Sequence, residues 1–472
     1  MSTFVKYSII TLCLIALISS TIHLGNLENY ADQEIPEYIT LDNTGDNAIT
    51  DPGATLGRVL FYDKNLSTDK TIACASCHHQ EFAFSDTSFV SQGVNGVTGR
   101  HSMRLVNARF SGEERFFWDE RASTLEEQTS QPIQDHAEMG YSGIDGNPGI
   151  EDLILELSDI DYYQQLFAFV YGDSEITEER IQLALAQFIR SIQSFDSKYD
   201  IGRAEVDGEL VQFPNFTPSE NRGKRLFNQD PTFDASGNRI DGGLGCASCH
   251  VPPEFSIDPE SRNNGIVNEV NGGANFQINR APTLRDMFSP VTGDLNGPLM
   301  HNGRFDRIRG VIQHYNRIGD LPQFVIELLD PRLRSLSNGQ MLNLTDQETD
   351  DLVRFLHTLT GSDVYTDPKW SDPFDENGDI LVLDEFTSVN DVDVEQIKIY
   401  PNPASDYISI DVDEEIESIE ILDLSGRVVL EVNGMQSTKN KRVDISQLQG
   451  GVYLVRTHTA GKITLGKVVV QP

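Results

Sequence analysis

The chain has 472 residues, with 36 Lys and Arg against 73 Asp and Glu, giving a formal net charge of −37. No basic cluster interrupts this acidity, which argues against a nucleic-acid partner or an anionic membrane surface and suits a soluble exported protein. The length predicts two to four domains, large enough to bury their cores without disulfide staples.

At the N-terminus, Lys6 precedes an apolar run from Tyr7 to Ile18, followed by Ser19 and Ser20. The run is too short to span a bilayer and predicts a signal peptide over 1–20, the alternative being a buried N-terminal helix. Cys13 lies inside the run and is expected to leave with it.

Next comes Gly57-Arg58-Val59-Leu60-Phe61, then Cys74-Ala-Ser-Cys77-His78, then Glu81-Phe82. The same order returns later as Gly223-Lys224-Arg225-Leu226-Phe227, Cys246-Ala-Ser-Cys249-His250 and Glu254-Phe255. Four cysteines in an exported chain could form disulfides, or hold one zinc with four thiolates. Neither accounts for a histidine directly after the second cysteine in both copies. Two thiols one turn apart reach the two vinyl groups of a haem, and the next imidazole reaches its iron from the same side. Each motif therefore predicts a covalently bound haem c, with His78 and His250 as iron ligands.

Helical periodicity brackets both motifs. One helix begins near Thr177 and lines up Ile181, Leu185, Phe188, Ile189 and Ile192; another begins at Thr345, where Glu348 completes a capping box. Thr217-Pro218-Ser219-Glu220 is a further capping box with Pro at the first helical position. The expected fold is mainly α, with two duplicated cytochrome-c-like haem modules over 21–200 and 201–362. Residues 363–394, rich in Asp, Pro, Ser and Gly, read as a linker. From 395 to 472, short β runs (Tyr407–Val412, Ser418–Leu424, Arg427–Val432, Val452–Thr457, Thr464–Val470) with a turn at Ser425-Gly426 predict a small all-β sandwich. Taken alone, that sandwich could be a carbohydrate-binding or adhesive module.

What a His-ligated haem does depends on its sixth position. For the second haem, Met300 lies in the loop-like Pro298-Leu299-Met300-His301-Asn302-Gly303, with His301 and His314 as rivals or propionate partners. For the first haem, His101, Met103 and His136 are candidates, and an open iron is the other expectation. Phe116-Phe117-Trp118-Asp119 is an aromatic cluster that by itself reads as core packing. Gln128 and Glu138 fall in a loop-like stretch, where a lone Glu ordinarily reads as solvated surface.

Two resemblances sharpen this reading. Phe117-Trp118-Asp119-x-Arg121, Leu125-Glu126-x-Gln128, Pro132 and Glu138-Met139, then Pro282-Thr283-Leu284-Arg285, Pro298-x-Met300-His301-Asn302-Gly303 and Val311-Ile312-x-His314-Tyr315-Asn316 stand in the order found in bacterial diheme cytochrome c peroxidases. The chain resembles that family over roughly residues 50–362. The resemblance implies hydrogen peroxide as substrate, with His78 and His250 as proximal ligands and Met300 as sixth ligand of an electron-transfer haem. It places Trp118 on the electron route and Gln128 and Glu138 at the peroxide site. Glu138 would take a proton from one peroxide oxygen and return it to the other. The second haem would accept electrons from a small donor protein such as a cytochrome c or cupredoxin.

Tyr400-Pro401-Asn402-Pro403, Leu424-Ser425-Gly426-Arg427, Gly451-Val452-Tyr453-Leu454 and Lys467-Val468 resemble the type A C-terminal sorting domain of the Por (type IX) secretion system. This implies export through the periplasm to the cell surface or medium, with the type IX machinery as a partner. A homodimer is left open.

Two departures from the peroxidase pattern matter. Members that rest inactive carry a distal His on the loop that here reads Ser91-Gln92-Gly93-Val94-Asn95-Gly96, so the first haem is expected to be open at rest. His101 stands where the family has an Asn that helps bind an inter-haem calcium, which argues against calcium, although the carbonyls of Arg280 and Pro282 remain as donors. Two competing functions are a diheme electron carrier without peroxide turnover, and a related branch that oxidises residues of a partner protein to mature its cofactor. The latter is expected to show a Tyr where Met300 stands, which argues against it.

Overall fold

The computed structural model describes residues 27–112, 115–257, 259–276, 282–335, 338–378, 380, 398–422, 428–432, 438–459 and 462–471. The expected signal peptide, the Ser425-Gly426 turn and Arg280 lie outside the described residues. The chain divides into two compact units, one over Leu24–Val382 and one containing Leu383–Pro472.

The larger unit carries α1 (Asp51–Tyr62), α2 (Leu125–Gln134), α3 (Ile150–Ser158), α4 (Asp161–Tyr171), α5 (Glu178–Ser191), α6 (Lys198–Ala204), α7 (Pro218–Asn228), α8 (Ile308–Asn316), α9 (Gln323–Ile326) and α10 (Asp346–His357). The three expected N-caps form: the side chains of Thr177, Thr217 and Thr345 accept from the backbone N–H three residues on. Each such cap is worth about 1 kcal/mol.

The internal repeat of the sequence is a repeat of packing. In the first module α1 crosses α5 at Gly57, where a Cβ would lie 2.0 Å from the carbonyl oxygen of Ala184; in the second, α7 crosses α10 at Gly223, 2.0 Å from that of Asp351. Only glycine allows backbones this close. These crossings bury Leu56, Val59, Leu60, Phe61, Leu185 and Phe188 in one module, and Leu226, Phe227, Leu352, Phe355 and Leu356 in the other. At about 1.5–3 kcal/mol per buried apolar side chain, they supply much of what holds each haem motif in place.

The structure moves two boundaries. α6 straddles the expected division at 200/201, and its Tyr199 packs in the second module's core with Phe213, Phe255 and Phe355. Arg285 of the second module forms a bidentate, fully buried ion pair with Asp200 on the same helix, both bonds 2.9 Å. Nor is the segment from 363 a linker throughout. Val364 and Trp370 are buried, Tyr62 Oη donates to the Trp370 carbonyl at 2.7 Å, and Gln80 Nε2 donates to that of Asp367 at 2.9 Å. Composition flags Asp, Pro and Ser here, but the two aromatic anchors decide where the segment goes.

In the smaller unit the described strands are Lys398–Tyr400, Tyr407–Leu422, Val428–Val432, Thr438–Asp444, Gly451–Thr459 and Lys462–Val470. Two expected runs, 407–412 and 418–424, are one 16-residue strand. Its first half pairs with Thr438–Asp444 and Lys398–Tyr400, its second with Val428–Val432 and Gly451–Thr459, all antiparallel. Among the described residues the expected sandwich is thus built from one continuous sheet, around Ile408, Ile410, Ile419, Ile421, Val455 and Val468. The strand Thr438–Asp444 escaped sequence reading because Lys439, Lys441 and Arg442 mask its alternation.

Candidate functional site

Each C-A-S-C-H motif folds as a tight 3-10 turn, Cys74–Ser76 and Cys246–Ser248, so that the next cysteine and histidine follow on the same side. In the first, the N–H of His78 donates to the Cys74 carbonyl at 3.0 Å, and Ser76 Oγ accepts from the Ala73 N–H at 3.0 Å. The two motifs line separate cavities, of about 1010 Å³ for Cys74, Cys77 and His78 and about 480 Å³ for Cys246, Cys249 and His250. The four thiols therefore share no tetrahedral zinc site. None is in a disulfide, and burial pushes Cys74 and Cys246 up to about 12 and Cys77 up to about 11, far from thiolates.

Both cavities suit a large planar group held by its rim. His78 Nδ1 donates to the Phe84 carbonyl at 3.0 Å, which fixes the tautomer and leaves Nε2 for a metal. His250 Nδ1 is buried without a partner.

Around the first cavity stand Trp118, Gln128 and Glu138, with His78. Gln128 is on α2, which is tied to α5 by the Glu126–Arg190 ion pair. Trp118 sits at the tip of a turn closed by the Phe116 N–H donating to the Ala122 carbonyl at 2.9 Å. Phe117 takes a positive φ of 71° there, with the Arg121 guanidinium 3.5 Å above its ring. Asp119 pairs with both Arg100 and Arg121 at 2.9 Å, anchoring the turn.

Glu138 is gripped through its backbone. Asp135 Oδ1 accepts from the N–H groups of Ala137 and Glu138, the Glu138 carbonyl accepts from the Val94 N–H at 2.9 Å, and the Thr68 N–H donates to the Met139 carbonyl. Gly93 packs so closely that a Cβ would lie 2.2 Å from the Ala137 carbonyl oxygen. The loop Ser91–Gly96 is therefore a clamp on the Glu138 segment. Burial raises the Glu138 carboxyl to about 7; the charge of Asp135 adds to this, and Arg121 opposes it. That value suits a group that both accepts and returns a proton near neutrality.

Trp118 also joins the two modules. Its Nε1 donates to the His101 carbonyl at 2.7 Å, and its ring lies 6.2 Å from that of His301. The His101 N–H in turn donates to the His301 carbonyl at 2.8 Å. Of the candidate distal groups, His101 and Met103 line the first cavity, and His101 Nδ1 is held by the Ser88 carbonyl at 2.9 Å; His136 lies at the surface.

Met300, the expected sixth ligand of the second haem, lies one side chain from the second cavity. Met300 is not among the residues lining it, and its sulfur is 3.5 Å from Asn264 Nδ2. Asn264 Nδ2 is also 3.3 Å from the hydroxyl of Tyr315, and both Asn264 and Tyr315 do line the cavity. α8 swings Tyr315 inward while His314 turns to the Asn264 carbonyl at 2.8 Å. The tyrosine was in view in the run His314-Tyr315-Asn316, but nothing in the sequence says which neighbour faces in.

Residues 51–205 match the family model for the di-haem cytochrome c peroxidases, and residues 398–471 match that for the secretion system C-terminal sorting domain. Over residues 51–205 the chain is similar to the di-haem cytochrome c peroxidase family. That family is a di-haem one, which implies two haem groups. The chain is 28% identical over 325 residues to a methylamine utilization protein MauG from Methylophilus methylotrophus, covering 67% of this chain and 84% of that one. It is 25% identical over 321 residues to a cytochrome c551 peroxidase from Nitrosomonas europaea, covering 65% and 80%. A crystal structure of a MauG-like protein associated with microbial copper homeostasis superposes with a TM-score of 0.55 at 26% identity, covering 72% of this chain and 99% of that one.

Proposed function

We propose that the chain is a diheme peroxidase that reduces hydrogen peroxide to water with electrons from a small external donor such as a cytochrome c or cupredoxin. The observation that carries this reading is the Glu138 carboxyl, half-buried in the wall of the His78 cavity and poised to titrate near neutrality. In this reading both haems are thioether-linked, at Cys74 and Cys77 and at Cys246 and Cys249. The first haem supplies the iron at which peroxide reacts. Glu138 takes the proton from one peroxide oxygen and delivers it to the leaving oxygen, and Gln128 orients the substrate by hydrogen bonding. Trp118 lines the first cavity in contact with His301 of the second module, next to Met300, and carries electrons between the modules. The clamp at Ser91–Gly96 keeps Glu138 in place without a distal ligand to remove. The domain at 398–471 addresses the protein to the type IX secretion machinery and so to the cell surface or medium.

The test is peroxide-dependent oxidation of reduced cytochrome c by the haem-loaded protein. Turnover is expected; its absence in a protein with two six-coordinate haems would leave an electron carrier. One observation favours a second reading. The hydroxyl at the second cavity belongs to Tyr315, so the lack of a tyrosine at position 300 no longer argues against oxidation of a partner protein. Met300 remains one amide away, and variants at the two positions separate the readings.

A further inference from the structure

Arg104 forms part of the wall of the first cavity. Its Nε is buried without a hydrogen-bond partner, and Nη1 reaches only the Thr283 carbonyl, at 3.3 Å. The neighbouring arginines are neutralised: Arg100 by Asp119 and Glu269, Arg121 by Asp119, Arg285 by Asp200. Arg104 makes no ion pair among the described residues. A guanidinium does not shed its proton at any ordinary pH, and a buried charge without a counter-ion costs several kcal/mol. Burial accordingly disfavours the charged form here, opposed only by Tyr365 and Asp286 at longer range. An anion has to come from the cavity. Carboxylates suit a guanidinium best, through paired N–H···O bonds.

We propose that Arg104 receives a propionate carboxylate of the first haem and, through Thr283, ties that haem to the second module. The inference rests on the reading of the first cavity as a haem site. It assigns Arg104 a positioning and charge-balancing role, apart from the acid–base work of Glu138. A fixed positive charge beside the haem favours its reduced form. Removing that charge shifts the balance towards the oxidised form, most strongly at the first haem, whose cavity the side chain lines.

The experiment is a redox titration of the purified, haem-loaded protein without added carboxylates, following the two haems by their separate paramagnetic resonance signals. The haem count per chain is measured alongside, so that loss of the haem reading is distinguishable from loss of this one. Arg104→Leu is expected to retain two haems and to lower the reduced-to-oxidised ratio of the first, at fixed potential, by roughly three- to tenfold, with a smaller effect on the second. Arg104→Lys is expected to recover most of that ratio. A first haem unaffected in Arg104→Leu, or a lysine variant no better than leucine, would overturn the proposal. If Arg104→Leu fails to load its first haem, loading restored by Lys and not by Gln supports the pairing. Equal recovery by Gln, or none by Lys, refutes it.

Discussion

Replacing Glu138 by Gln keeps the shape of the side chain and removes its ability to hold or give up a proton. General acid–base catalysis of this kind contributes about 10²- to 10⁴-fold, or about 2.7–5.4 kcal/mol of barrier. With the carboxyl raised to about 7, wild-type peroxide reduction has a definite pH dependence. The ionised fraction that can accept a proton falls from about 0.9 at pH 8 to about 0.01 at pH 5. The rate constant for peroxide should therefore drop close to a hundredfold across that range, and the residual rate of Glu138→Gln should not follow it. Stability runs the other way. A carboxyl raised in the folded state favours the native protein in its neutral form; that contribution is complete below its ordinary pKa of about 4.5 and lost as pH rises through about 7. Glu138→Gln should thus be more stable than wild type above pH 7, by at most about 3 kcal/mol and less where solvent in the cavity screens the charge. The assay is stopped-flow mixing of the half-reduced protein with peroxide at several pH values, with haem content checked for each variant. A Gln variant within tenfold of wild type, or a wild-type rate flat down to pH 5, would refute the acid–base role.

Three further variants probe the supporting structure. Met300→Leu should abolish the low-spin signal of the second haem and Tyr315→Phe should leave it; the opposite pattern in electron paramagnetic resonance moves the sixth position to Tyr315. Gly93→Ala forces a methyl group against the Ala137 carbonyl and, 2.7 Å away, the Glu138 Cα. Its peroxide rate should fall roughly 10- to 100-fold with both haems retained, and an unchanged rate would deny the clamp its part. Arg285→Met strands the buried Asp200 carboxylate and should cost about 3–5 kcal/mol in urea denaturation of the haem-loaded protein. The double variant with Asp200→Asn should recover most of that loss, and a single variant costing under about 1 kcal/mol would remove the pair from the inter-module joint.

The sequence made plain whatever is written locally. The two C-A-S-C-H turns, the caps at Thr177, Thr217 and Thr345, and four of the six described strands of the C-terminal unit each depend on residues a few positions apart. The pairing of α1 with α5 and of α7 with α10 was legible as a repeat, although the glycines at the crossings became meaningful only against the carbonyls they touch. What escaped depends on partners distant in the chain. Trp370 looks like part of a polar linker until it meets Tyr62 and Ser191, some 180 to 310 residues earlier. Met300 stands out by its loop and its chemistry, but that Asn264 brings its sulfur and the Tyr315 hydroxyl together rests on contacts 36 and 51 residues apart. Arg104 sits among apolar neighbours, and its lack of a counter-ion exists only in three dimensions. The loop Ser91–Gly96 was notable for the histidine it lacks, and its hold on Glu138 emerged from backbone contacts that no side-chain pattern encodes.

The central claim is that the two haems are unequal, with the first open to peroxide beside Glu138. Electron paramagnetic resonance of the purified protein, fully oxidised and half reduced, with and without peroxide, tests this most directly. A high-spin first haem whose signal alone changes on peroxide addition, beside a low-spin second haem, is the result expected. Two low-spin, six-coordinate haems indifferent to peroxide in both states would contradict it.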